Sequence, residues 1–301
     1  MSDTLTLDSA PSTSAPAPRT AAHRRAVRQR RLNWIAVHSL GIAAALFFLL
    51  PFVFLFLTSL MSDDQSLSAN LWPQHWVWSN YVNVFKVPGF TDWWKNSIEY
   101  SVLGTVLTVA SSIPAAYALA KFRFPGRRVA MMAVISMMML PPQVIIVPMY
   151  LLWTNQLHLT GTIWPLVIPM AFGDAFSIFL LRQFLLTIPK EYLDAAKVDG
   201  CGEFTTLRRV VLPMIKPAVS AVALFQFFYC WNDFFGPQIY LAQNPGAWTV
   251  SYGLQTFHSA HHTDWNLTMA ATLLVMAPVI IVFFFAQKAF IEGVTLTGVK
   301  G

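Results

Sequence analysis

Four residues near the end of a long apolar segment have the side-chain types needed to bind a polar solute: Gln226, Trp231, Asn232 and Asp233. At about 100° per helical residue, Gln226 and Asp233 are about 20° apart, so they share one face of a helix. Amide and carboxylate groups can bond the hydroxyl groups of a sugar, and Trp231 offers a flat apolar surface for its ring. We therefore expect this face to line a path for a solute. The alternative is that these groups only hydrogen-bond neighbouring helices, at about 0.6 kcal/mol per bond.

Two carboxylates, those of Asp174 and Asp233, are expected to lie within apolar segments. A carboxylate inside a membrane is costly, and it usually faces the interior of a helix bundle or a water-filled path. The alternative role for this pair of acids is to relay protons.

Metal and nucleotide chemistry have little support in the sequence. His258, His261 and His262 have a spacing that could hold zinc on a helix, but no carboxylate beyond Asp264 is near them, so we expect no metal site. No glycine is followed by lysine, so the phosphate-binding loop G-x-x-x-x-G-K-[ST] is absent from the sequence. We therefore expect no cofactor in this chain and no ATP hydrolysis by it.

The composition predicts that these residues are held by membrane helices. The chain has 301 residues, of which 55% are hydrophobic and only 11% charged, whereas a soluble domain carries about 25% charged residues. A helix that crosses the hydrocarbon core needs about 20 apolar residues. Six segments meet this length, at residues 32–60, 96–120, 129–153, 162–186, 218–241 and 267–289. The predicted fold class is an all-α integral membrane protein with six transmembrane helices.

The charge distribution predicts the orientation of these spans. Residues 1–31 are expected to form a disordered basic tail, because Ser, Thr, Ala and Pro precede an arginine cluster. With this tail inside the cell, all of the 20 lysine and arginine residues except Lys86 and Lys95 fall on the inner side. We therefore expect both termini to be cytoplasmic. The arginines are expected to anchor the tail at the lipid surface, and a specific lipid or regulatory site is the alternative.

The stretch over residues 189–217 is the longest charged interval after the first hundred residues, and apolar segments flank it. Its pattern predicts a helix over residues 190–199, a stop at Gly200 and Gly202, and a second short helix over residues 203–211. Five basic and four acidic residues give a net charge of +1. This positive charge is too small to indicate binding to the phosphate groups of DNA. A solvated loop is the simple alternative, but we expect a protein-docking hairpin at the cytoplasmic membrane surface.

The hairpin contains an acid and two alanines, then a glycine after three residues, then a V-V-L-P sequence after nine more. These residues are Asp194, Ala195, Ala196, Gly200 and the stretch Val210-Val211-Leu212-Pro213. This spacing resembles the EAA loop of the membrane subunits of binding-protein-dependent ABC importers. Residues 177–184 and the stretch Trp231-Asn232-Asp233 are similar to the carbohydrate, maltose-permease branch of that family. The resemblance extends from about residue 96 to the C-terminus and leaves the N-terminal tail uncovered.

The resemblance implies a type I ABC importer permease fold over residues 32–301, with the hairpin as its coupling loop. The residues that it implies for coupling to an ATPase are Glu191, Asp194, Ala195, Ala196, Gly200, Leu212 and Pro213. Implied partners are a second homologous permease subunit, two copies of a cytoplasmic ABC ATPase that would bind ATP and Mg, an extracytoplasmic sugar-binding protein, and membrane lipid. No nucleic acid is implied.

The resemblance also implies that the chain lies in a prokaryotic inner membrane. It would move a di- or oligosaccharide into the cytoplasm by alternating access. Two alternatives stay open: an ABC permease for a non-sugar substrate such as a polyol phosphate, and a proton-coupled secondary transporter that acts alone. The second alternative needs inverted repeats and ion sites at broken helices, and the sequence has no convincing internal repeat.

Overall fold

The structure is a computed structural model that describes residues 21–68, 70–141, 143–257 and 264–298, with side chains described from residue 28 to residue 287 of these ranges. All regular secondary structure in these ranges is helical. Residues 1–20 of the predicted tail lie outside the described residues, as do the three histidines considered above as zinc ligands, His258, His261 and His262.

The described ranges contain fifteen α-helices and five short π or 3-10 segments. The helices of the first half are α1 Ala21–Ser59, α2 Asp63–Ser66, α3 Ser79–Val84, α4 Phe90–Lys121, α5 Arg127–Met139, α6 Gln143–Leu151 and α7 Trp164–Val167. Those of the second half are α8 Ala175–Thr187, α9 Lys190–Val198, α10 Glu203–Thr206, α11 Leu212–Met214, α12 Lys216–Asn232, α13 Phe235–Tyr240, α14 Val250–Gly253 and α15 Trp265–Gly298. The π segments are Leu152–Gln156 and Leu207–Val211, and the 3-10 segments are Ile168–Phe172, Pro245–Ala247 and Leu254–Phe257.

Several of these helical stretches are long and apolar enough to cross a membrane. Four qualify by themselves: Arg28–Ser59, Phe90–Lys121, Trp164–Thr187 and Trp265–Gln287. Two more qualify only as pairs that are bent at a short break, by 97° for Arg127–Met139 with Gln143–Gln156 and by 81° for Glu203–Met214 with Lys216–Asn232. The described chain therefore offers four spans, or up to six if each bent pair is counted as one.

The chain divides into two units between residues 54 and 55, and the first unit contains most of α1. This helix begins at Ala21, so residues 21–31, which were expected to belong to a disordered tail, are helical instead. Alanine and arginine are among the best helix formers, and the apolar helix can therefore extend into the arginine cluster. Its apolar side chains are exposed, Leu40 at 73% and Phe48 at 69%, as expected of a surface that faces lipid.

In the second unit, α8, α12 and the 3-10 segment Ile168–Phe172 pack against α4. The buried face of α4 carries small residues three or four positions apart, namely Ser97, Ser101, Gly104, Thr108, Ser112 and Ala116. Small residues allow helix backbones to approach closely inside a membrane. A Cβ atom at Gly104 would lie 2.6 Å from Met170 Sδ and 2.8 Å from Cys230 Sγ, so a larger residue there would displace these two side chains.

Apolar clusters lie near both ends of α4. Close to its C-terminal end, Tyr117 packs with Leu181 of α8 and with Val211 at the end of the hairpin. Close to its N-terminal end, Phe90 belongs to a cluster that includes Trp231 of α12 and residues of α15. Helix α4 therefore contacts the base of the hairpin at one end and the end of α12 at the other.

Two of the predicted spans are interrupted at aspartates. In the predicted span 162–186, Gly173 has a φ of +88° and α8 begins after Asp174. In the predicted span 218–241, α12 ends at Asn232, just before Asp233, and α13 begins two residues after this aspartate. Asp174 thus lies within the candidate span Trp164–Thr187, as expected, whereas Asp233 lies just after the apolar helix that ends at Asn232, so the expectation is wrong for Asp233. Both carboxylates accept hydrogen bonds from backbone N–H groups at the start of the next helix, which stabilises a break.

Candidate functional site

Helix α9, the first arm of the hairpin, has one face toward the body of the chain and one face exposed. Ala196 is only 4% exposed. Glu191, Asp194, Ala195 and Val198 are exposed and have the i, i+3, i+4, i+7 spacing of a single helix face. We call these four residues the hairpin face. Of the two alanines that were predicted to admit another surface, Ala196 packs against the chain itself and Ala195 points outward.

Gly200 ends α9 as predicted. Its φ is +75°, a conformation that favours glycine. The Gly200 N–H donates to the Lys197 carbonyl at 3.0 Å, and the Cys201 N–H donates to the Ala196 carbonyl at 2.9 Å. This pair of hydrogen bonds is the Schellman motif. Gly202, the other predicted stop, has an extended conformation with a φ of −70°, so only Gly200 uses the conformational freedom of glycine.

The second arm of the hairpin has mixed helical geometry. It begins as α10, continues as the π segment Leu207–Val211 and ends as α11. The short helix predicted over residues 203–211 is therefore present, with a wider turn in its second half. Leu212 is half-buried against the apolar cluster that contains Val211, whereas Pro213 is exposed. Phe204 is 76% exposed and adds an apolar side chain to the outer surface of the hairpin.

Two hydrogen bonds that sequence reasoning missed join the hairpin to the end of α4. The Tyr117 hydroxyl donates to Glu203 Oε2 at 3.0 Å. The Lys121 ammonium donates to the carbonyl of Ile188 at 3.1 Å, immediately before the hairpin. Tyr117 and Glu203 are 86 positions apart, so no local sequence pattern could have paired them.

The end of α12 forms a hydrogen-bonded break. Asp233 Oδ1 accepts from the Gly236 N–H, and Asp233 Oδ2 accepts from the Tyr100 hydroxyl of α4, each at 3.0 Å. A Cβ atom at Gly236 would lie 2.5 Å from Asp233 Oδ2 and 2.8 Å from Leu166 Cδ2, so a larger residue there would displace the Asp233 carboxylate from this turn. Tyr100 was not selected from the sequence. It is only 1% exposed, and its hydroxyl therefore reaches Asp233 from within the core.

Gln226 lies in α12, whereas Asp233 follows the end of this helix in an extended conformation, so the helical spacing that predicted a shared face does not reach Asp233. Gln226 is 8% exposed, and its side-chain nitrogen lies 3.4 Å from Cys230 Sγ and 3.5 Å from Met170 Sδ. Cys230 and Met170 belong to the same apolar cluster as Tyr100, the partner of Asp233. Because sulfur is a weak acceptor, the Gln226 amide lies in a largely apolar setting.

The other two candidates in this stretch have different surroundings. Trp231 is 2% exposed, and its indole N–H donates to the Val275 carbonyl of α15 at 3.0 Å. The prediction that Trp231 offers its ring to a sugar is therefore wrong for this conformation, because packing against α15 covers the ring. Asn232 is exposed, and its side-chain nitrogen donates to the Phe228 carbonyl at 2.8 Å.

Asp174 has a structural role at the start of α8. Its Oδ2 atom accepts from both the backbone N–H and the hydroxyl of Ser177, each at 2.8 Å. This N-cap role explains why an acid lies at this position, so a role in proton relay is not needed. Across the part of the chain that the structure describes, no group of three His, Cys, Asp or Glu side chains is placed to hold a metal ion.

An apolar helical body therefore carries an exposed hairpin with an acidic and apolar face. Residues 112–295, which include the hairpin and α12, match the family described as "Binding-protein-dependent transport system inner membrane component". The chain belongs to this family. Its members are membrane subunits of transport systems, so the resemblance predicted from the hairpin is confirmed.

Individual members of the permease family align with most of the chain. The "Arabinooligosaccharides transport system permease protein AraQ" of Bacillus subtilis (strain 168) is 33% identical over 262 residues, covering 85% of this chain and 92% of the relative. The "Osmoprotective compounds uptake permease protein GgtD" of Synechocystis sp. is 29% identical over 277 residues, covering 88% of this chain and 92% of the relative.

A solved structure has the same fold. A chain of a bacterial ABC transporter involved in the import of the acidic polysaccharide alginate superposes with a TM-score of 0.77 at 25% identity. The superposition covers 87% of this chain and 98% of that chain. The helical body described above is therefore the fold of an ABC importer permease.

Proposed function

We propose that the chain is the transmembrane permease subunit of an ATP-driven importer that moves a di- or oligosaccharide into the cytoplasm. The observation that carries this proposal is the outward position of Asp194 and Ala195 on an exposed hairpin, in a chain of the binding-protein-dependent family. The choice of a sugar is supported by two relatives, because AraQ is named for arabinooligosaccharides and the solved transporter imports alginate.

In this proposal the chain crosses the inner membrane six times. Four spans are the long apolar helices, and each bent pair provides one more, with Lys216–Asn232 as the membrane part of the second pair because Glu203–Met214 belongs to the hairpin. The hairpin and both termini lie on the cytoplasmic side, since that orientation places almost all lysine and arginine residues inside the cell. The hairpin can then meet a cytoplasmic protein and cannot meet one outside the cell.

The partner at the hairpin is a cytoplasmic ABC ATPase, present in two copies, which binds ATP and Mg. The chain itself carries no lysine-containing phosphate loop, so the energy must come from another polypeptide. Asp194 on the hairpin face pairs with a basic residue of the ATPase, and Ala195 and Gly200 leave room for close approach. Aspartate is one methylene shorter than the glutamate of the family pattern, so a water molecule can bridge the contact.

Transport proceeds by alternating access in a heterodimer with a second, homologous permease. ATP binding closes the two ATPases and moves the hairpin, and the cavity opens outward to receive the sugar from an extracytoplasmic binding protein. ATP hydrolysis then resets the cavity toward the cytoplasm. The proposed groups on the solute path are Gln226 of α12, the exposed Asn232 at its end, and Asp233 just after it.

Deletion of this chain from its host tests the function. Cells without the chain should lose uptake of one labelled di- or oligosaccharide, and a plasmid copy of the wild-type chain should restore it. If uptake of every saccharide persists while uptake of another solute class is lost, the sugar assignment is wrong and the permease assignment stands.

A non-sugar solute is the second candidate substrate, because GgtD is named for osmoprotective compounds. The same deletion strain distinguishes it when labelled osmolytes and polyol phosphates are assayed beside the saccharides. The proton-coupled alternative gains no such support, since Asp174 and Asp233 both act as helix caps in the structure.

A further inference from the structure

The base of the hairpin is connected to α4 by polar contacts that the proposed function does not use. The hairpin follows α8 and precedes α12 along the chain, so the backbone itself transmits its movement to these two helices. Helix α4 has no such covalent connection to the hairpin. Any movement of α4 that follows the hairpin must therefore pass through non-covalent contacts.

Most of these contacts are apolar, so the residues of α4 and those around the hairpin can shift past each other while they stay in contact. The cluster at the base of the hairpin contains Ala116 and Leu119 of α4 together with Ile188, Val211 and Ile215 around the hairpin. Apolar contacts have no preferred direction. A hydrogen bond differs because it weakens steeply when its angle or length changes, so the two groups that it joins must move together or separate.

Glu203 is positioned to make such a directional link. It is the first residue of α10, and its Oε2 atom accepts the hydrogen bond from Tyr117 at 3.0 Å. Its other oxygen lies 3.9 Å from the ammonium group of Lys197 on α9. One carboxylate thus contacts both arms of the hairpin and α4.

The tyrosine end of this link is held rigidly. Tyr117 is only 4% exposed, and its ring packs edge-to-face on Phe122 with ring centroids 5.4 Å apart. Burial among the residues of the apolar cluster at the base of the hairpin restricts rotation of the ring, which places its hydroxyl against Glu203. The Lys121 hydrogen bond to the Ile188 carbonyl makes a second, parallel connection one helical turn away.

The far end of α4 reaches the proposed solute path. Tyr100 lies on the same helix and donates to Asp233 at the break after α12. Since Tyr100 and Tyr117 are 17 positions apart, their Cα atoms are about 25 Å apart along the helix axis. Helix α4 is therefore one continuous element between the hairpin and the break at Asp233.

We infer that Tyr117 and Glu203 are positioning residues that transmit the movement of the coupling hairpin to α4, and through it to the Tyr100–Asp233 contact. This inference rests on the proposed function, since it assumes that an ATPase moves the hairpin. Neither residue contacts the ATPase or the solute in this account. Their effect is on the ratio of solute moved to ATP hydrolysed.

The test uses the complete transporter complex in proteoliposomes, with Tyr117→Phe, Glu203→Met, which has no oxygen to accept the bond, and the double variant. Each single substitution should lower the amount of sugar transported per ATP hydrolysed by about 2- to 30-fold, the range expected for one residue of a coupling network. The double variant should lose no more than the more affected single variant, because either change removes the same bond. Copurification of the ATPase should stay at the wild-type level in all three.

Tyr81→Phe is the matched control. It also removes one partly buried hydroxyl contact, the 2.8 Å bond between Tyr81 and Ser59, but at a site away from the hairpin. Its transport per ATP should equal that of the wild type. The inference is overturned if Tyr117→Phe leaves the amount of sugar transported per ATP unchanged. It is also overturned if the losses of the two single variants add in the double variant, or if dissociation of the ATPase explains the whole loss. A wild-type complex that shows no ATP-dependent uptake instead contradicts the proposed function.

Discussion

At the scale of single residues, Asp233 connects two helices through one carboxylate, capping α13 with Oδ1 and meeting Tyr100 with Oδ2. We expect Asp233→Asn to keep the fold, because asparagine caps helices as well as aspartate does and its amide can donate to the Tyr100 oxygen. The substitution removes only the negative charge. If Asp233 lies on the solute path, the initial rate of labelled-sugar uptake should change while assembly and basal ATP hydrolysis do not.

Asp233→Ala separates the capping role from the role in the path. Loss of an N-cap costs about 1 kcal/mol, so the thermal unfolding midpoint should fall in Asp233→Ala and stay unchanged in Asp233→Asn. If both Asp233→Asn and Gln226→Ala have the uptake kinetics of the wild type, then Gln226 and Asp233 do not line the solute path and have only a packing role.

Asp194 supplies a test of the hairpin face. Its side chain is exposed, so Asp194→Lys should leave the fold of the chain intact. Opposite a basic residue of the ATPase, the new charge replaces attraction by repulsion, and affinity for the ATPase should fall at least about tenfold with loss of transport. A compensating acid in the ATPase should restore part of both, as measured by copurification and uptake.

Asp199→Lys is the control for this charge change, since Asp199 is exposed on the same hairpin but outside the hairpin face. It should transport nearly as well as the wild type. If Asp194 only balances lysines on its own helix, an interaction of about 0.3–0.5 kcal/mol, then Asp194→Lys will behave like this control and the proposed contact is wrong.

At the scale of helices and turns, we expect substitution of two glycines of the hairpin by alanine to have different effects on α9. Gly200 has a φ of +75°, whereas Gly202 has a φ of −70° and open space within 4 Å of the position that a Cβ atom would take. A left-handed conformation costs an alanine about 1–2 kcal/mol. Gly200→Ala should therefore speed hydrogen exchange of α9 amides by about 5- to 30-fold, whereas Gly202→Ala should change it little. Equal hydrogen-exchange rates of the α9 amides in the two variants would contradict the role of Gly200 in the Schellman motif.

The sequence predicted the helices better than their interruptions. A membrane span is a run of about 20 apolar residues, and such a run is visible without any knowledge of neighbours. The breaks at Asp174 and Asp233 were missed because a single carboxylate barely alters the hydropathy of a long segment. They depend on the hydrogen bonds that each carboxylate makes, including the one to Tyr100, 133 positions away in the sequence.

The same distinction applies to the candidate site. The outward face of α9 follows from local spacing, so the exposed positions of Asp194 and Ala195 agree with a docking role proposed from sequence. The Tyr117–Glu203 link joins residues that are distant in sequence and needed the structure. Trp231 was assigned to the solute path because sequence cannot distinguish an aromatic ring that faces a ligand from one that packs on another helix.

At the scale of the whole molecule, the orientation in the membrane is testable with single cysteines. In a variant with Cys201 and Cys230 replaced by serine, we expect Gln243→Cys to react with an impermeant thiol reagent in intact cells. Val198→Cys, although Val198 is 87% exposed in the chain, should react only after the cells are permeabilised. Labelling of Val198→Cys in intact cells would place the hairpin outside the cell and overturn the topology.

We propose that this chain moves solute only when a separate ATPase acts on its hairpin. The most direct measurement is uptake of a labelled oligosaccharide by proteoliposomes that contain the chain alone or the chain with its partner permease, ATPase and binding protein. We predict uptake only by the full complex and only with ATP on the hairpin side, and no ATP hydrolysis by the purified chain. Sugar accumulation by the chain alone under a proton gradient, without ATPase or ATP, would contradict this account.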